Sequence, residues 1–561
     1  MRRFLICAAL LPCVASATVR YTVSPDVASG SFLVTVRIDD PKSLETFQIP
    51  GWSPGFYVME EFEKKISAVQ AVDSDGQPLT IDHGDNRTWA VHANPSKALT
   101  LSYRVLGDDV GLGFFGANVR KDSAYFNGPS TYMYDTQRRT EDCSLKVSLP
   151  ESWRIATALK TGPDGTWTAK DYDELADYPV QMGNFVERKF TVQGLPFEAV
   201  FVIPPDQKMR FDLDSQLSVI EKVSAPAIQM FGGAPFQHYL YIFHLTPLGF
   251  QGGLEHRSGT VIAIPNVPGN DIGDLVAHEE FHAWNVKQIR PKLLGPFDYT
   301  SPQRTGALWF AEGVTDYYAK VLTYRSGVHD AGWLVDQFTD QVATLQSGQT
   351  RLTKTVEDAS RAVWEDGGFN LGDLDYYNKG LLAGLVFDAE IREATKGKRS
   401  LDDVMRLLYR RYRLPQPGYD EDGILRAINE VAEKDLTPLY SQIIRSTGEL
   451  PYADLRGIGL LVLSPNDPSP LPGGWAFPSE GVPSDALKRI GLRESDQFEG
   501  FEPPTTPGSA DLEVERDGTT VKLSVPLENT RASRYEVMAD PQPTTDSAAR
   551  LAEWLHRPKS P

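Results

Sequence analysis

Apolar and polar residues alternate along much of the first 200 residues, and this period predicts β-strands. Between residues 99 and 105, apolar side chains stand at every second position with polar side chains between them. Residues 143–149 repeat the pattern, which places Cys143 on an apolar face. Successive side chains of a strand point to opposite faces, so each segment is typical of a half-buried strand. We therefore predict an N-terminal all-β domain over residues 18–203, with Cys143 as an inert buried side chain.

After about residue 270, apolar residues recur at spacings of three and four, which is the period of an amphipathic helix. Five segments show this period, near residues 272–288, 304–325, 376–394, 401–413 and 423–434. Ser400 is placed to cap the fourth of them. The preceding region 204–265 is strand-like, as in the run Tyr-Leu-Tyr-Ile-Phe at 239–243. A strand-rich start followed by helices predicts an α+β catalytic domain over residues 204–452.

Stretches rich in proline and glycine at residues 464–483 and 503–508 mark a further change along the chain. Short alternating runs follow, which predict a small β-rich C-terminal domain over residues 453–545 and a tail at 546–561. A chain of 561 residues exceeds what one hydrophobic core usually organises. The pattern as a whole predicts a multidomain α+β protein.

The first 17 residues have the three parts of a secretory signal peptide. Arg2 and Arg3 give a positive start, residues 4–14 form a short apolar run, and the small residues Ala-Ser-Ala end at position 17. The alternative is a buried first strand or helix. We predict export to the periplasm or the cell exterior, with cleavage after residue 17. No later run approaches the roughly 18 apolar residues that a membrane span requires, so none is predicted.

Charge and cysteine content exclude some classes of function. The net charge of −19 becomes −21 without the leader, because the leader contains two arginines and no acid. Nucleic acid and anionic membrane surfaces repel such an acidic protein, so neither is an expected partner. Cys7 and Cys13 lie in the leader, and the single Cys143 that remains cannot form an internal disulfide.

The sequence His-Glu-Glu-Phe-His at residues 278–282 is the first candidate for chemistry. Residues four apart lie on one face of a helix, so His278 and His282 can direct their imidazoles at the same ion. Zinc lowers the pKa of bound water from about 15.7 to about 7. Glu279, at the edge of that face, is placed to take the proton and pass it to the leaving amine. The alternative is a chance occurrence of the pattern.

A second motif, Trp-Phe-Ala-Glu-Gly-Val-Thr-Asp at residues 309–316, offers a third ligand. A catalytic zinc takes three protein ligands and keeps one open position, and two histidines with one glutamate are a common set. Glu312 lies in an amphipathic helical pattern beside aromatic residues, where a solvated carboxylate would be unusual. Asp316, one turn later, is placed to accept a hydrogen bond from a ligand histidine. The alternative is an ordinary surface Glu–Asp pair, and the two motifs together favour one Zn²⁺ per chain.

These motifs resemble those of the glycyl aminopeptidase family of gluzincin zinc metallopeptidases. The resemblance is carried by HEEFHAWNVKQIRP at 278–291, LWFAEGVTDYY at 308–318, PGWSPGFY at 50–57 and Asn127-Gly128. It implies an N-terminal β domain, a thermolysin-like and mostly helical catalytic domain, and a C-terminal PDZ-like domain. It also implies that the protein releases N-terminal residues, mainly glycine and alanine, from peptides with a free N-terminus.

Two shorter motifs are similar to substrate-binding motifs of related aminopeptidases. GGLEH at 252–256 implies that Gly252 and Gly253 help to bind substrate and that Glu255 binds its free α-amino group. The alternative is a Gly-Gly turn followed by a surface acid. YNKG at 377–380 implies that Tyr377 donates a hydrogen bond to the developing oxyanion. The alternative is a core or surface tyrosine.

The C-terminal part departs from the family pattern. Residues 484–493 look like the helix and turn of a PDZ domain, but the Gly-Leu-Gly-Phe-type loop that grips a peptide carboxylate is not evident. We therefore expect a degenerate PDZ-like domain.

The sequence as a whole predicts a zinc aminopeptidase. A zinc endopeptidase of the same fold is the alternative with the same chemistry, and the GGLEH motif argues against it. A catalytically silent peptide-binding protein is the alternative from another class. The complete set of His278, Glu279, His282 and Glu312 argues against that alternative.

Overall fold

The computed structural model describes most of the chain. The described residues are 18–109, 114–162, 164–204, 207–246, 251–365, 367–368, 372–465, 467, 491–493, 495–502, 509–526, 532 and 534–557. The chain folds into two compact units. The first unit ends at Asp212 and also includes Pro235–Asn270 and Pro296–Gln303. The second comprises Leu213–Ala234, Asp271–Gly295 and the chain from Arg304 onward.

The first unit consists mainly of β-structure, as the alternating pattern predicts. Its strands are Val19–Asp26, Ser31–Ile38, Leu44–Gln48, Ile66–Asp73, Ile81–Asp85, Thr88–His92, Leu99–Leu106, Ala117–Val119, Ser123–Phe126, Tyr134–Asp135, Cys143–Val147, Arg154–Ala156, Lys160–Thr161, Trp167–Ala169, Val180–Gly183, Val186–Val192, Leu195–Val202, Tyr239–Thr246, Gly252–His256 and Gly259–Pro265. Its short helical segments are Phe62–Lys65, Gly128–Thr131 and Tyr172–Asp177.

The largest sheet of the first unit has seven strands, with Val19–Asp26 and Ser31–Ile38 near its centre. In Leu99–Leu106, fully buried side chains alternate with half-buried ones, which confirms the predicted period. Val19–Asp26 also pairs in parallel with Cys143–Val147, and Cys143 is buried as predicted. Because burial raises the pKa of the Cys143 thiol, this side chain stays protonated.

A five-stranded mixed sheet in the first unit carries the GGLEH motif. Its strand order is Val186–Val192, Leu195–Val202, Tyr239–Thr246, Gly259–Pro265 and Gly252–His256. The three inner strands are parallel, and each outer strand is antiparallel to its neighbour. Tyr239–Thr246 confirms the strand predicted at 239–243. The sheet contains strands from both sides of the predicted boundary between residues 203 and 204, and the GGLEH motif lies at its edge.

The second unit is mostly helical. Its helices are Leu213–Phe231, Gly273–Phe281, Lys292–Leu294, Trp309–Gly313, Val314–Arg325, Ala331–Ser347, Thr350–Leu352, Val356–Ala362, Tyr376–Ala394, Leu401–Tyr412, Gly423–Ala432, Thr437–Ile443, Tyr452–Ile458 and Thr545–Trp554. Its strands are Leu460–Leu463, Gln497–Glu502, Ser509–Arg516, Thr519–Pro526 and Glu536–Ala539.

Three predicted helices are confirmed with nearly the predicted bounds, at Tyr376–Ala394, Leu401–Tyr412 and Gly423–Ala432. Ser400 caps the second of them as predicted, because its side chain accepts a hydrogen bond from the Asp403 N–H. The carboxylate of Asp403 in turn accepts from the Ser400 N–H at 3.0 Å, which completes a capping box. Local side-chain chemistry therefore fixes where this helix begins.

The region 204–265 is not strand-like throughout, and this part of the prediction is wrong. It contains the 19-residue helix Leu213–Phe231, in which Ile220 and Val223 share a buried face. Pro226 lies inside the helix, where proline is normally unfavourable, and β-branched residues otherwise favour strands. Both features conceal the helical period, which begins near residue 213 and not after residue 270.

The C-terminal part of the second unit contains short strands, as predicted. Leu460–Leu463 pairs with Glu536–Ala539, and three further strands form an antiparallel sheet. Of the PDZ-like segment 484–493, residues 484–490 lie outside the described residues. The PDZ-like domain therefore stays a prediction.

The segment predicted as a C-terminal tail contains the helix Thr545–Trp554, which packs within the second unit. Trp554 is buried, and its indole N–H donates to the Tyr317 hydroxyl at 3.1 Å. The Tyr324 hydroxyl donates to the Leu555 carbonyl at 2.8 Å. Across the part of the chain that the structure describes, no helix is both long and apolar enough to cross a bilayer.

Candidate metal centre and active site

His278 lies in the last turn of the helix Gly273–Phe281, and His282 is the residue that ends this helix. His282 keeps helical backbone angles, and its N–H donates to the His278 carbonyl at 3.3 Å. The pentad therefore has the predicted helical spacing. The helix does not continue to residue 288 as predicted, because the chain turns after His282 and directs the Asn285 carbonyl back at its ring.

Three donor atoms converge in the second unit. The Nε2 atoms of His278 and His282 are 3.0 Å apart, and Oε2 of Glu312 lies 3.6 Å from the first and 3.2 Å from the second. All three side chains are buried, with Glu312 only 3% exposed. The alternative of a surface Glu–Asp pair is therefore wrong, and the structure brings the three predicted ligands together.

Each imidazole is oriented by a hydrogen bond from its second nitrogen, Nδ1. Nδ1 of His278 donates to Oδ1 of Asp316 at 3.0 Å, as the sequence predicts. Nδ1 of His282 donates to the Asn285 carbonyl at 2.6 Å. Because a carbonyl only accepts, Nδ1 of His282 carries the proton, and its Nε2 presents a lone pair in the neutral ring. Such partners fix the tautomer and the orientation of metal-binding histidines. His278, His282, Glu312 and Asp316 are called the metal cluster below.

Asn285 is a site residue that was not predicted from the sequence. Its carbonyl orients His282, while its side-chain Nδ2 donates to the Phe310 carbonyl at 2.9 Å and to the Thr315 hydroxyl at 3.1 Å. Asn285 is fully buried, and its hydrogen bonds join the turn after the His278–His282 pentad to the segment that carries Glu312. Every residue has a main-chain carbonyl, so its use as an acceptor cannot be predicted from the residue type. The only hint in the sequence is an asparagine between apolar neighbours, at a position of the kind that is usually buried.

Glu312 lies in a π-helical turn, Trp309–Gly313, that leads into the helix Val314–Arg325. π-Turns are rare and occur frequently at functional sites, because the extra residue redirects a side chain. Gly313 packs against the helix Tyr376–Ala394, where a methyl group added at Gly313 would lie 2.5 Å from Cα of Gly380. Glycines at both positions therefore allow the two backbones to approach closely.

This close approach places Tyr377 beside the metal cluster. Its ring centroid lies 6.1 Å from that of His278, and its side chain is half-buried, whereas Tyr376 is buried in the core. The adjacent residue Asp375 caps the helix by accepting from the Tyr377 N–H at 2.7 Å. The preference for Tyr377 over Tyr376 therefore has a structural basis, since only Tyr377 combines partial exposure with proximity to a ligand.

The two carboxyl groups of the metal cluster have lowered pKa values. Burial raises the pKa of Glu312, but the charges and hydrogen bonds of His282 and His278 outweigh burial, and the net shift is strongly downward. The pKa of Asp316 is also lowered, because Lys320 and His278 outweigh its burial. Burial lowers the pKa of His278, but hydrogen bonds to Asp316 and Glu312 raise it well above its usual value. Two carboxylates thus stay ionised around the imidazoles.

These donors fit a zinc ion. Two imidazole nitrogens and a carboxylate oxygen lie within 4.8 Å of one another, an arrangement that is unfavourable in a dry interior unless a cation or a proton lies between them. Two histidines and one glutamate form a common ligand set of catalytic zinc sites, which keep the fourth position open. Glu279 is buried in the same helix, directly after His278. Its charge also contributes to the raised pKa of His278.

Glu255 lies in the first unit, in the edge strand Gly252–His256. The strand pairs with Gly259–Pro265, with Glu255 opposite Thr260. Glu255 is 4% exposed, so the alternative of a Gly-Gly turn followed by a surface acid is wrong. Gly252 and Gly253 begin the strand and are half-buried. The chain thus presents a buried carboxylate at the edge of a sheet.

Comparisons with solved structures support the fold. The chain is similar to an aminopeptidase N family protein from Idiomarina loihiensis, with 22% identity over 96% of this chain and 100% of that chain and a TM-score of 0.76. It is also similar to an M1 zinc metallopeptidase from Deinococcus radiodurans, with 14% identity over 77% of this chain and 94% of that chain and a TM-score of 0.50. At these identities the likeness shows a shared fold. No curated protein matches the chain in sequence.

Two family models match the chain. The Peptidase M61 N-terminal domain matches residues 20–184, and M61 glycyl aminopeptidase matches residues 271–383. The second match contains the three converging ligands together with Glu279 and Tyr377. The predicted resemblance is therefore confirmed, and the chain is a peptidase that belongs to the M61 glycyl aminopeptidase family.

Proposed function

We propose that this protein is a zinc-dependent aminopeptidase that hydrolyses N-terminal residues, glycine and alanine above all, from peptides. The observation that carries the proposal is the buried convergence of Nε2 of His278, Nε2 of His282 and Oε2 of Glu312. Membership of the M61 glycyl aminopeptidase family supports it. The three residues would hold one zinc ion per chain, and Asp316 and the Asn285 carbonyl would orient the two imidazoles.

When bound, zinc supplies a Lewis acid that polarises the scissile carbonyl and makes water acidic enough to ionise near neutral pH. The carboxylate of Glu279 then accepts the proton of the attacking water and later passes it to the leaving amine. The Tyr377 hydroxyl donates a hydrogen bond to the oxyanion as it develops, an interaction worth about 3 kcal/mol in well-studied sites. Its half-buried position beside His278 supports this role.

Glu255 provides the selectivity for a free N-terminus. A carboxylate is the natural partner of an ammonium group in a partly dry site, because charge-assisted hydrogen bonds are the stronger ones. The burial of Glu255 and the similarity of GGLEH to the exopeptidase motif support the assignment. Gly252 and Gly253 lie in the same edge strand and would help to bind the substrate backbone.

The decisive experiment compares aminoacyl chromogenic substrates with their N-acetylated twins on protein of known metal content. We expect turnover of glycyl and alanyl substrates and little turnover of the acetylated forms. Equal cleavage of free and blocked peptides would identify a zinc endopeptidase. Metal-loaded protein that cleaves neither would identify a catalytically silent peptide-binding protein.

We also propose that the protein is exported to the periplasm or the cell exterior. The proposal is supported by the leader pattern of residues 1–17, which lie outside the described residues. N-terminal sequencing of protein recovered from the exported fraction should find Thr18 as the first residue, whereas Met1 would contradict export with cleavage.

A further inference from the structure

The turn at Ser53–Phe56, within the PGWSPGFY sequence, packs against the strand that carries Glu255. The Phe56 N–H donates to the Ser53 carbonyl at 2.9 Å, and Gly55 between them has φ = +97°. Both this turn and Glu255 belong to the first unit. In the sequence, PGWSPGFY is a sign of family resemblance only, with no role predicted for it.

Gly55 meets the carboxylate of Glu255 directly. A methyl group placed on Cα of Gly55 would lie 2.7 Å from Oε2 and 3.0 Å from Oε1 of Glu255, and 2.5 Å from Cδ1 of Leu254. Carbon atoms do not approach other heavy atoms this closely without displacement. Both carboxylate oxygens therefore rest against the backbone of the turn, and the absence of a side chain at position 55 leaves the space that they occupy.

Contacts on both sides hold the turn in place. Nδ2 of Asn127 donates to the Ser53 hydroxyl at 3.1 Å in a buried hydrogen bond. The Phe56 ring stacks on Phe115, with ring centroids 3.9 Å apart and an interplanar angle of 15°. The indole N–H of Trp52 donates to the Asp298 carbonyl at 2.8 Å. Because its flanks are fixed, the turn is a rigid surface for the Glu255 carboxylate.

The backbone of Glu255 is fixed from the other side. Its strand pairs with Gly259–Pro265, and the Thr260 hydroxyl donates to the Leu254 carbonyl at 3.0 Å. A glutamate side chain has three rotatable bonds, and ordering such a side chain costs conformational entropy. A strand that fixes Cα and a turn that confines the carboxylate impose this ordering during folding, before a ligand arrives.

We propose that Gly55 is a positioning residue, which confines the Glu255 carboxylate in the orientation that receives the substrate's α-ammonium group. This inference rests on the proposed role of Glu255. It adds that the β domain contributes to amine recognition through a turn whose glycine has no side chain to displace the carboxylate. A carboxylate ordered in advance binds its partner more tightly, because the ordering cost is not incurred on binding.

Gly76 offers a matched control for a change at Gly55. It lies in the same unit, and its φ of +77° also lies in the left-handed region that favours glycine. A methyl group at Gly76 would meet no atom within 4 Å. Gly55→Ala and Gly76→Ala therefore share the backbone strain of a positive φ, and only Gly55→Ala displaces Glu255.

The test measures discrimination, which is the ratio of kcat/KM for a glycyl substrate to that for its N-acetylated twin. We expect Gly55→Ala to lower this ratio at least tenfold, as Glu255→Ala does, with the zinc content unchanged and discrimination intact in Gly76→Ala. The double variant Gly55→Ala/Glu255→Ala should discriminate no worse than Glu255→Ala alone. Calorimetry with a glycyl peptide measures affinity without turnover when Glu279→Gln is present. In that background, adding Gly55→Ala should weaken binding of the peptide.

The outcomes separate this inference from the proposed function. If Glu255→Ala loses discrimination and Gly55→Ala keeps it, the role of Gly55 is refuted and the role of Glu255 stands. If Glu255→Ala keeps discrimination, the amine anchor itself is refuted. Should Gly55→Ala fail to fold, Ser53→Ala decides, because it removes only the hydrogen bond from Asn127. It should lower discrimination two- to fivefold at full zinc content, and an unchanged ratio would overturn the inference.

Discussion

Each compact unit buries a cluster of carboxyl groups, and the pKa of one carboxyl group in each cluster is shifted in opposite directions. In the metal cluster, the pKa of Glu312 is shifted strongly downward. In the first unit, Glu45, Asp135 and Arg138 form what we call the β-domain cluster, with all three side chains buried. There the pKa of Asp135 is raised to about 8, mainly by burial and secondly by a side-chain hydrogen bond with Glu45. Burial alone therefore does not determine the charge of a carboxyl group.

The difference lies in which partners the fold supplies. Glu312 faces two imidazoles, whose charges and hydrogen bonds exceed the cost of its burial. In the β-domain cluster, Arg138 directs Nε and Nη2 at Oε1 of Glu45, at 3.2 and 3.1 Å, and it is Glu45 that gains this partner. Asp135 is left beside a second carboxyl group and is most stable protonated. The first arrangement attracts a cation, whereas the second stores a proton.

The largest effects should follow from substituting a ligand of the metal cluster or Glu279, the residue that transfers the proton. His278→Ala or Glu312→Ala removes a ligand and should strip the protein of zinc, as measured by mass spectrometry of metal content. Glu279→Gln should keep zinc and lower kcat about a thousandfold, because it removes proton transfer and not a ligand. A Glu279→Gln protein that retains near-parental kcat would refute the mechanism.

Asp135→Asn serves as the control for that experiment, since it changes a buried carboxyl group of the other cluster. It should keep full zinc content and parental kcat at neutral pH. Loss of zinc on this substitution would show that the two clusters are not independent.

The next largest effect should come from removing the cation of the β-domain cluster. Arg138→Ala leaves the Glu45 carboxylate buried without its guanidinium partner, and breaking a buried pair in this way costs about 3–5 kcal/mol. Arg37→Ala is the matched control, because the Arg37–Asp39 pair is half-exposed and such surface pairs contribute about 0–1 kcal/mol. Unfolding in urea measures both, and equal destabilisation of the two variants would contradict the buried-pair account.

The two clusters also differ in how far the sequence predicts them. His278 and His282 were predictable because helical spacing alone places residues four apart on one face. Glu312 and Asp316 were predictable because a catalytic zinc requires a third ligand and oriented histidines. In each case the chemistry of the site restricts the residue types, so a local motif is sufficient.

The β-domain cluster left no such motif. Asp135 and Glu45 are brought together by the antiparallel pairing of Tyr134–Asp135 with Leu44–Gln48, strands that lie far apart in sequence. No local period encodes that register. The same holds for the packing of Gly55 on Glu255, which depends on two distant segments of one unit. Contacts between distant strands and acceptors on the main chain, such as the Asn285 carbonyl, therefore could not be predicted from the sequence.

The smallest expected effect is a change in how stability depends on pH. Asp135 has a pKa of about 8 in the folded protein, whereas its ordinary value is 3.8, so between these values the folded state holds a proton that the unfolded state has released. The free energy of unfolding should therefore fall as pH rises from about 4 to about 8, by at most about 1.4 kcal/mol per pH unit from this group.

Asp135→Asn removes the titrating group and leaves an amide that can still donate to Glu45. The variant should lose this part of the slope and gain stability over the parent at pH 8, as measured by urea unfolding at pH 5, 6.5 and 8. Asp142→Asn, an exposed position nearby in sequence, controls for the loss of one negative charge. If Asp135→Asn and Asp142→Asn show the same slope as the parent, Asp135 is ionised in the fold and the contrast between the two clusters does not hold.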